Sequence, residues 1–184
     1  LVMLDRAFLT VEPREGAVPS LALIPQSRYG PPEKIYWDFE TDHPGLLHFA
    51  HGQGRTAYFP WPVDALFFDH SLPEHGALLA QAVVTVAGGR QVVADAPPQV
   101  EVVVGARPDG GHVVHLINHS GHQDRSYHAP LPIQDVTLSL DVAAASARAL
   151  VADRDLPLER DGDGRVRLRL PRLDLFEAIV LAPA

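Results

Sequence analysis

Four carboxylates, Glu33, Asp38, Glu40 and Asp42, crowd one stretch of the chain beside Tyr36 and Trp37. Cleaving a glycosidic bond takes two carboxyl groups roughly 5–10 Å apart, one to protonate the leaving oxygen and one to attack or to activate water. It also takes aromatic surface on which a sugar can lie. The residue types fit that chemistry. Their setting is an irregular run interrupted by Pro31, Pro32 and Pro44, and a loop holds an acid/base pair only where packing fixes it. The other reading is a solvated acidic loop that lays Tyr36 and Trp37 on a sheet or on a neighbouring domain.

Ten histidines raise a second chemistry. His119, His122 and His128 surround Ser120-Gly121 and could converge, with Asp124 as the nearby carboxylate. A zinc site wants three or four such ligands and a surrounding layer that orients the rings. The alternative is a set of solvated loop imidazoles with no metal. His112 and His115 are three apart in a strand, so they face opposite sides and make poor co-ligands. Ser120 lies in His119-Ser120-Gly121-His122, which is not the Gly-x-Ser-x-Gly elbow of a serine hydrolase. Asn118-His119-Ser120 matches a glycosylation acceptor, a pattern frequent by chance, and Gly52-Gln53-Gly54 is too short for a dinucleotide loop. Arg165, Arg167 and Arg169 could bind an anion, or they are the wet face of an edge strand where charge blocks association.

Composition narrows the classes. The chain has 184 residues, and its acids outnumber its bases by 23 to 15, a formal charge of −8. Neither nucleic acid nor an anionic membrane surface attracts such a charge. There is no cysteine, which removes disulfides, thiolate zinc sites and cysteine nucleophiles together. No apolar run approaches the ~20 residues of a membrane-spanning helix. The opening Leu1-Val2-Met3-Leu4-Asp5 has no basic segment before an apolar one, so a cytoplasmic location is expected. That opening also suggests a fragment of something longer.

Seventeen prolines leave room for few long helices and favour short strands joined by turns. Residues 4–11 and 20–24 read as strands, and residues 26–45 as a long irregular loop. Residues 46–50 and 55–59 flank the Gly52 turn as a hairpin. Residues 74–87 are the best helix, with Pro73 suited to the first turn, Gly88-Gly89 at the stop, and Leu78, Leu79, Ala82, Val83 and Val86 on one face. Paired prolines at Asp95-Ala96-Pro97-Pro98 mark a boundary between domains 1–95 and 98–184. Beyond it come about seven strands with frequent turns. The clearest is 165–170, where Val166, Leu168 and Leu170 alternate with three arginines. An antiparallel β-sandwich is expected there.

Residues 45–64, GLLHFAHGQGRTAYFPWPVD, are followed by Leu72-Pro73-Glu74-His75 and an apolar helix. This order resembles the end of the glutamine-amidotransferase-like, or β-galactosidase trimerisation-like, domain of certain bacterial glycoside hydrolases. The stretches 29–34 (YGPPEK), 113–118 (VVHLIN) and 173–181 (LDLFEAIVL) look like parts of the same proteins. The resemblance implies a mixed, β-rich α/β fold: a partial amidotransferase-like (flavodoxin-like) segment, then a C-terminal antiparallel β-sandwich. It implies that the catalytic carboxylates belong to an upstream barrel of about 250 residues, too large for this chain. No catalytic residue and no cofactor are then expected here. Tyr36, Trp37, Asp38 and Glu40 would line the rim of a sugar site in the parent protein.

Tyr58, Phe59, Trp61, Phe67 and Phe68, five aromatics within eleven residues, exceed what half a small domain easily hides and point to an interface. The leading expectation is a non-catalytic region for domain packing or oligomerisation, with the upstream catalytic domain and a second copy of the chain as partners. A carbohydrate-binding sandwich module is the alternative, and a stand-alone hydrolase a third.

Overall fold

The computed structural model describes residues 1–25, 29–35 and 40–184. The chain forms two compact units, Leu1–Gly89 and Arg90–Ala184. The described residues are β-rich, with four sheets and two α-helices. Neither helix is long and apolar enough to cross a membrane.

In the first unit β1 (Val18–Ala22), β2 (Pro44–His51) and β3 (Gly54–Tyr58) form an antiparallel sheet in that order. The predicted hairpin is β2–β3. His51 pairs with Gly54, and Gly52 supplies a φ of +59° at the first central position, as a two-residue hairpin turn of the II′ kind requires. Parallel pairing, on which a flavodoxin-like sheet is built, is absent among the described residues.

Two helices follow, where the sequence reading expected one. α1 (Val63–His70) was hidden by Pro60 and Pro62, which stand just before it, where proline is tolerated. It stops at Ser71, whose φ of 52° is left-handed and whose N–H donates to Phe67 O at 2.8 Å. α2 (Pro73–Ala87) covers the predicted helix, with Pro73 in its first turn and Gly88 as its left-handed stop. Ala82 is buried and Leu78 and Leu79 pack on the core, but Val83 is 66% exposed. A Cβ on Gly76 would meet Phe67 at 2.9 Å, so the helices touch through glycine.

Residues 4–11 do not form the expected strand. Val2, Leu4 and Phe8 pack on Trp61, Val63 and Leu66, so side chains rather than a ladder hold this segment. Leu9 N–H donates to Pro60 O at 2.8 Å, Arg6 pairs with Asp69, and the Nε2 of buried His75 bonds Met3 O at 2.8 Å.

The second unit is a sandwich. Its strands are β4 (Val92–Asp95), β5 (Val100–Ala106), β6 (His112–Asn118), β7 (His122–Gln123), β8 (Ser126–Tyr127), β9 (Ile133–Leu140), β10 (Ser146–Ala149), β11 (Arg154–Leu156), β12 (Glu159–Arg160), β13 (Val166–Leu173) and β14 (Phe176–Ala182). One sheet has the order β11-β10-β14-β6-β5 and the other β12-β13-β9-β4, while β7 and β8 pair alone. Between the two sheets lies a core that includes Val114, Leu116, Leu138, Leu140, Leu168, Leu170, Ile179 and Leu181. Each comes from one face of a period-two strand.

One boundary differs from the sequence reading. β4 pairs with β9, so the sandwich begins at Arg90, ahead of the paired prolines. β11 and β12 belong to different sheets, and the chain crosses over at Pro157-Leu158. The β13–β9 ladder skips Pro171 and Asp135, whose φ is +60°. Proline has no N–H to give, and the ladder is locally interrupted there.

Candidate functional site

The aromatic cluster divides by burial. Trp61 is only 8% exposed, and its indole N–H donates to Gly45 O at 2.7 Å. Phe59 meets it edge-on at 5.8 Å, and His75 lies 5.9 Å away. Trp61 is therefore a core residue and not an exposed interface ring, because the N–H found a buried acceptor and a partner ring. Tyr58 and Phe67 are 47% and 40% exposed, and Phe68 is 86% exposed. Phe68 sits on the outer surface of α1 with no core role.

Tyr36, Trp37 and Asp38 lie outside the described residues. Glu33, Glu40 and Asp42 are exposed. A shallow concavity of about 210 Å³ lies in the first unit, lined by Val18, His48, Arg55, Thr85 and Val86 among others. Arg55 donates to Thr85 O at 3.4 Å, near the carboxyl end of α2, where the helix dipole favours a cation.

The histidine loop is ordered by its neighbours. His119 Nε2 lies 2.9 Å from Glu101 Oε2, and His122 stacks on Tyr127 with centroids 4.9 Å apart. His128 donates its backbone N–H to Gly121 O at 2.8 Å. The His119 and His122 rings have separate partners, His128 is held through its backbone, and among the described residues no group of three metal-ligating side chains comes together.

The sequence reading missed what organises this end of the sandwich. Asn118 is 2% exposed. Its Nδ2 donates to Leu131 O at 2.8 Å and to Asp174 O at 2.7 Å, and its Oδ1 accepts from Ser120 N–H at 3.0 Å. Ser120 Oγ accepts from Leu131 N–H at 2.9 Å. The nitrogen that a glycan would join is thus buried and occupied, which makes the Asn118-His119-Ser120 match structural in the folded state. Glu177 is the second such residue, 3% exposed. Its Oε1 accepts from Val151 N–H at 2.8 Å and Ala178 N–H at 2.9 Å, and its Oε2 accepts from Ala152 N–H at 2.9 Å. Both residues occupy inward positions of their strands, Asn118 after Val114 and Leu116, Glu177 before Ile179 and Leu181. A polar residue breaking a core-facing alternation was the available signal.

The arginine row also separates. Arg165 reaches Arg90 O at 3.0 Å, Gln91 O at 3.1 Å and Ser139 O at 3.1 Å, and its Nε donates to Ser139 Oγ at 3.0 Å. It is half-buried and ties β9 to the chain entering β4, its donors spent on these oxygens. Arg169 pairs with Asp135, and Arg167 is exposed. Below Arg165, the hydroxyl of Ser139 donates to Asp161 Oδ2 at 2.7 Å. That bond, more than those from the Arg165 and Asp163 amides, holds the Asp161 carboxyl below its ordinary 3.8, against a partial desolvation that works the other way.

A carboxyl lowered in the folded state contributes its stability above the unfolded value, and loses it as pH falls through the folded one. Asp161→Asn keeps the turn's acceptor but cannot titrate. Its melting temperature is expected to fall less than that of the parent between pH 5 and pH 3. Thermal unfolding followed across that range checks this, and superimposable pH profiles would refute it.

No protein-family model matches the chain, and no curated protein matches it. Solved structures do. The fold is similar to α-L-fucosidase isoenzyme 2 from Paenibacillus thiaminolyticus, with a TM-score of 0.65 over 90% of this chain at 16% identity. Half of the chain, 50%, aligns with a cycloisomaltooligosaccharide glucanotransferase of a Paenibacillus species, solved with cycloisomaltoheptaose, at a TM-score of 0.40 and 17% identity. This chain spans 26% of the fucosidase and 16% of the glucanotransferase. At such identities the fucosidase likeness is one of fold: nine-tenths of this β-rich chain corresponds to about a quarter of a bacterial glycosidase.

Proposed function

We propose that the chain is a non-catalytic C-terminal region of a glycoside-hydrolase-like protein, serving domain packing or self-association. The observation that carries this is the share of each chain in the fold match, 90% of this one against 26% of the fucosidase. Unit Leu1–Gly89 is the closing portion of an amidotransferase-like domain whose parallel strands belong to the parent protein, and unit Arg90–Ala184 is its sandwich. The organised carboxylates agree with a scaffold role. Glu177 is spent on three amides and Asp161 on a turn and a hydroxyl, so neither is free to move a proton to a substrate. Phe68, with Phe67 and Tyr58, supplies contact surface on the first unit.

Light scattering after size exclusion tests the reading. The chain is expected at a multiple of its 20.0 kDa mass, and Phe68→Glu, at an 86% exposed position, is expected to return it to monomer with an unchanged melting temperature. A parent chain that is strictly monomeric removes self-association. Reproducible turnover of a chromogenic α-L-fucoside or β-galactoside by the chain alone overturns the non-catalytic reading.

A further inference from the structure

Tyr127 of the sandwich unit is an aromatic ring that the unit's core does not use. Tyr127 is 81% exposed at the close of the β7–β8 hairpin. One face of the ring stacks on its cross-strand partner His122, centroids 4.9 Å apart and planes 20° from parallel. The other face is open to water.

A hairpin with two-residue strands is marginal by itself. This one is fixed from below. His122 N–H donates to His119 O and His128 N–H to Gly121 O, both at 2.8 Å. Gly121 lies so close to the returning strand that an added Cβ would stand 2.1 Å from His128 O. Buried Asn118 holds both ends of the loop, through Ser120 N–H and Leu131 O. The ring is therefore pre-positioned, and a ligand that lies on it has little chain left to order. The turn next to it carries exposed Asp124 and Arg125, a carboxylate and a guanidinium, while Gln123 and Ser126 pair across the hairpin one step on and face its other side.

We propose that this hairpin is a saccharide platform. A pyranose lies with its C–H face on the free side of Tyr127, and the turn's polar groups bond its hydroxyls. His122 is a positioning residue beneath the ring. A protein partner fits less well, since a stable interface needs about 800 Å² on each side around an apolar centre, and the ring's neighbours on the turn are polar. A nucleic acid would meet a chain of charge −8. The choice of sugar rests on the reading of the chain as part of a carbohydrate-active protein.

Saturation-transfer difference NMR on the 184-residue chain tests the site with methyl α-L-fucopyranoside, methyl β-D-galactopyranoside and methyl α-D-glucopyranoside. At least one is expected to bind, with Kd on the order of 1 mM for so small a contact. Tyr127→Ala is expected to weaken it about tenfold, Tyr127→Phe to keep it, and His122→Ala to weaken it about threefold by freeing the ring. Phe68→Ala, in the other unit, is expected to leave it unchanged. No transfer to any of the three sugars overturns the proposal, and so does transfer that survives Tyr127→Ala. Neither result touches self-association, which light scattering decides separately.

Discussion

Asn118→Asp is expected to destabilise the sandwich unit by about 4 kcal/mol, a fall in melting temperature on the order of 15 °C. The side chain is 2% exposed, and its Nδ2 faces two carbonyl oxygens, those of Leu131 and Asp174. Aspartate puts an acceptor where both neighbours accept. Two bonds are lost, two carbonyls are orphaned, and a carboxylate is buried without a cation. Asn118→Ala removes those two bonds and the one from Ser120 N–H, without burying charge, so it is expected to cost about 2–3 kcal/mol. Aspartate tolerated as well as alanine would contradict the added cost of the buried carboxylate, and if both variants cost less than about 1 kcal/mol the two donor bonds are not what holds this end of the sandwich. Urea unfolding of the whole chain, followed by far-ultraviolet circular dichroism, gives both values.

Glu177→Ala is expected to cost about 3 kcal/mol by leaving three amides, the part-buried ones of Val151 and Ala152 and the buried one of Ala178, without their acceptor. Its mark should be local. The turn after β10 carries exposed Leu150 and Val151 and has little apolar burial of its own, so the carboxylate is its main tether. Hydrogen exchange at Val151 and Ala152 is expected to accelerate before the global transition. Glu177→Gln keeps one oxygen and turns an N–H toward an amide, at about half the loss. Arg148 beside that turn, paired at the surface with Asp153 at 2.6 Å and Asp155 at 2.9 Å, is a fair comparison. Exposed pairs of this kind contribute less than about 1 kcal/mol, so Arg148→Ala should be mild. Equal losses for Arg148→Ala and Glu177→Ala would contradict the ranking.

What the sequence disclosed follows from how local each signal is. The β2–β3 turn, α2 and the alternation of β13 are each written within one short stretch of chain, through a glycine, a capped apolar stripe and a strict period of two. α1 was not legible because eight residues give little periodicity, and the prolines before it looked like a stop. The assignment of β11 and β12 to separate sheets depends on partners far along the chain, which no local pattern records. The same holds for β4, read as the tail of one unit because paired prolines follow it, whereas its ladder lies with β9.

Site residues divide in the same way. Exposure of Phe68 fits an aromatic surplus, but burial of Trp61 depends on Gly45 O lying opposite its indole, a fact of tertiary structure. Arg165 looks like its neighbours Arg167 and Arg169 in sequence. It differs because the carbonyls of Arg90, Gln91 and Ser139 happen to face it.

The place of β14 has a consequence for synthesis. It is made after the other strands of its sheet, yet it occupies the middle of that sheet, between β10 and β6. Until residue 182 has left the ribosome, β10–β11 and β5–β6 are two separate hairpins with open edges and an uncovered apolar face. The nascent sandwich is therefore open to wrong pairing until β14 arrives, and that one strand converts the two hairpins to a closed sheet.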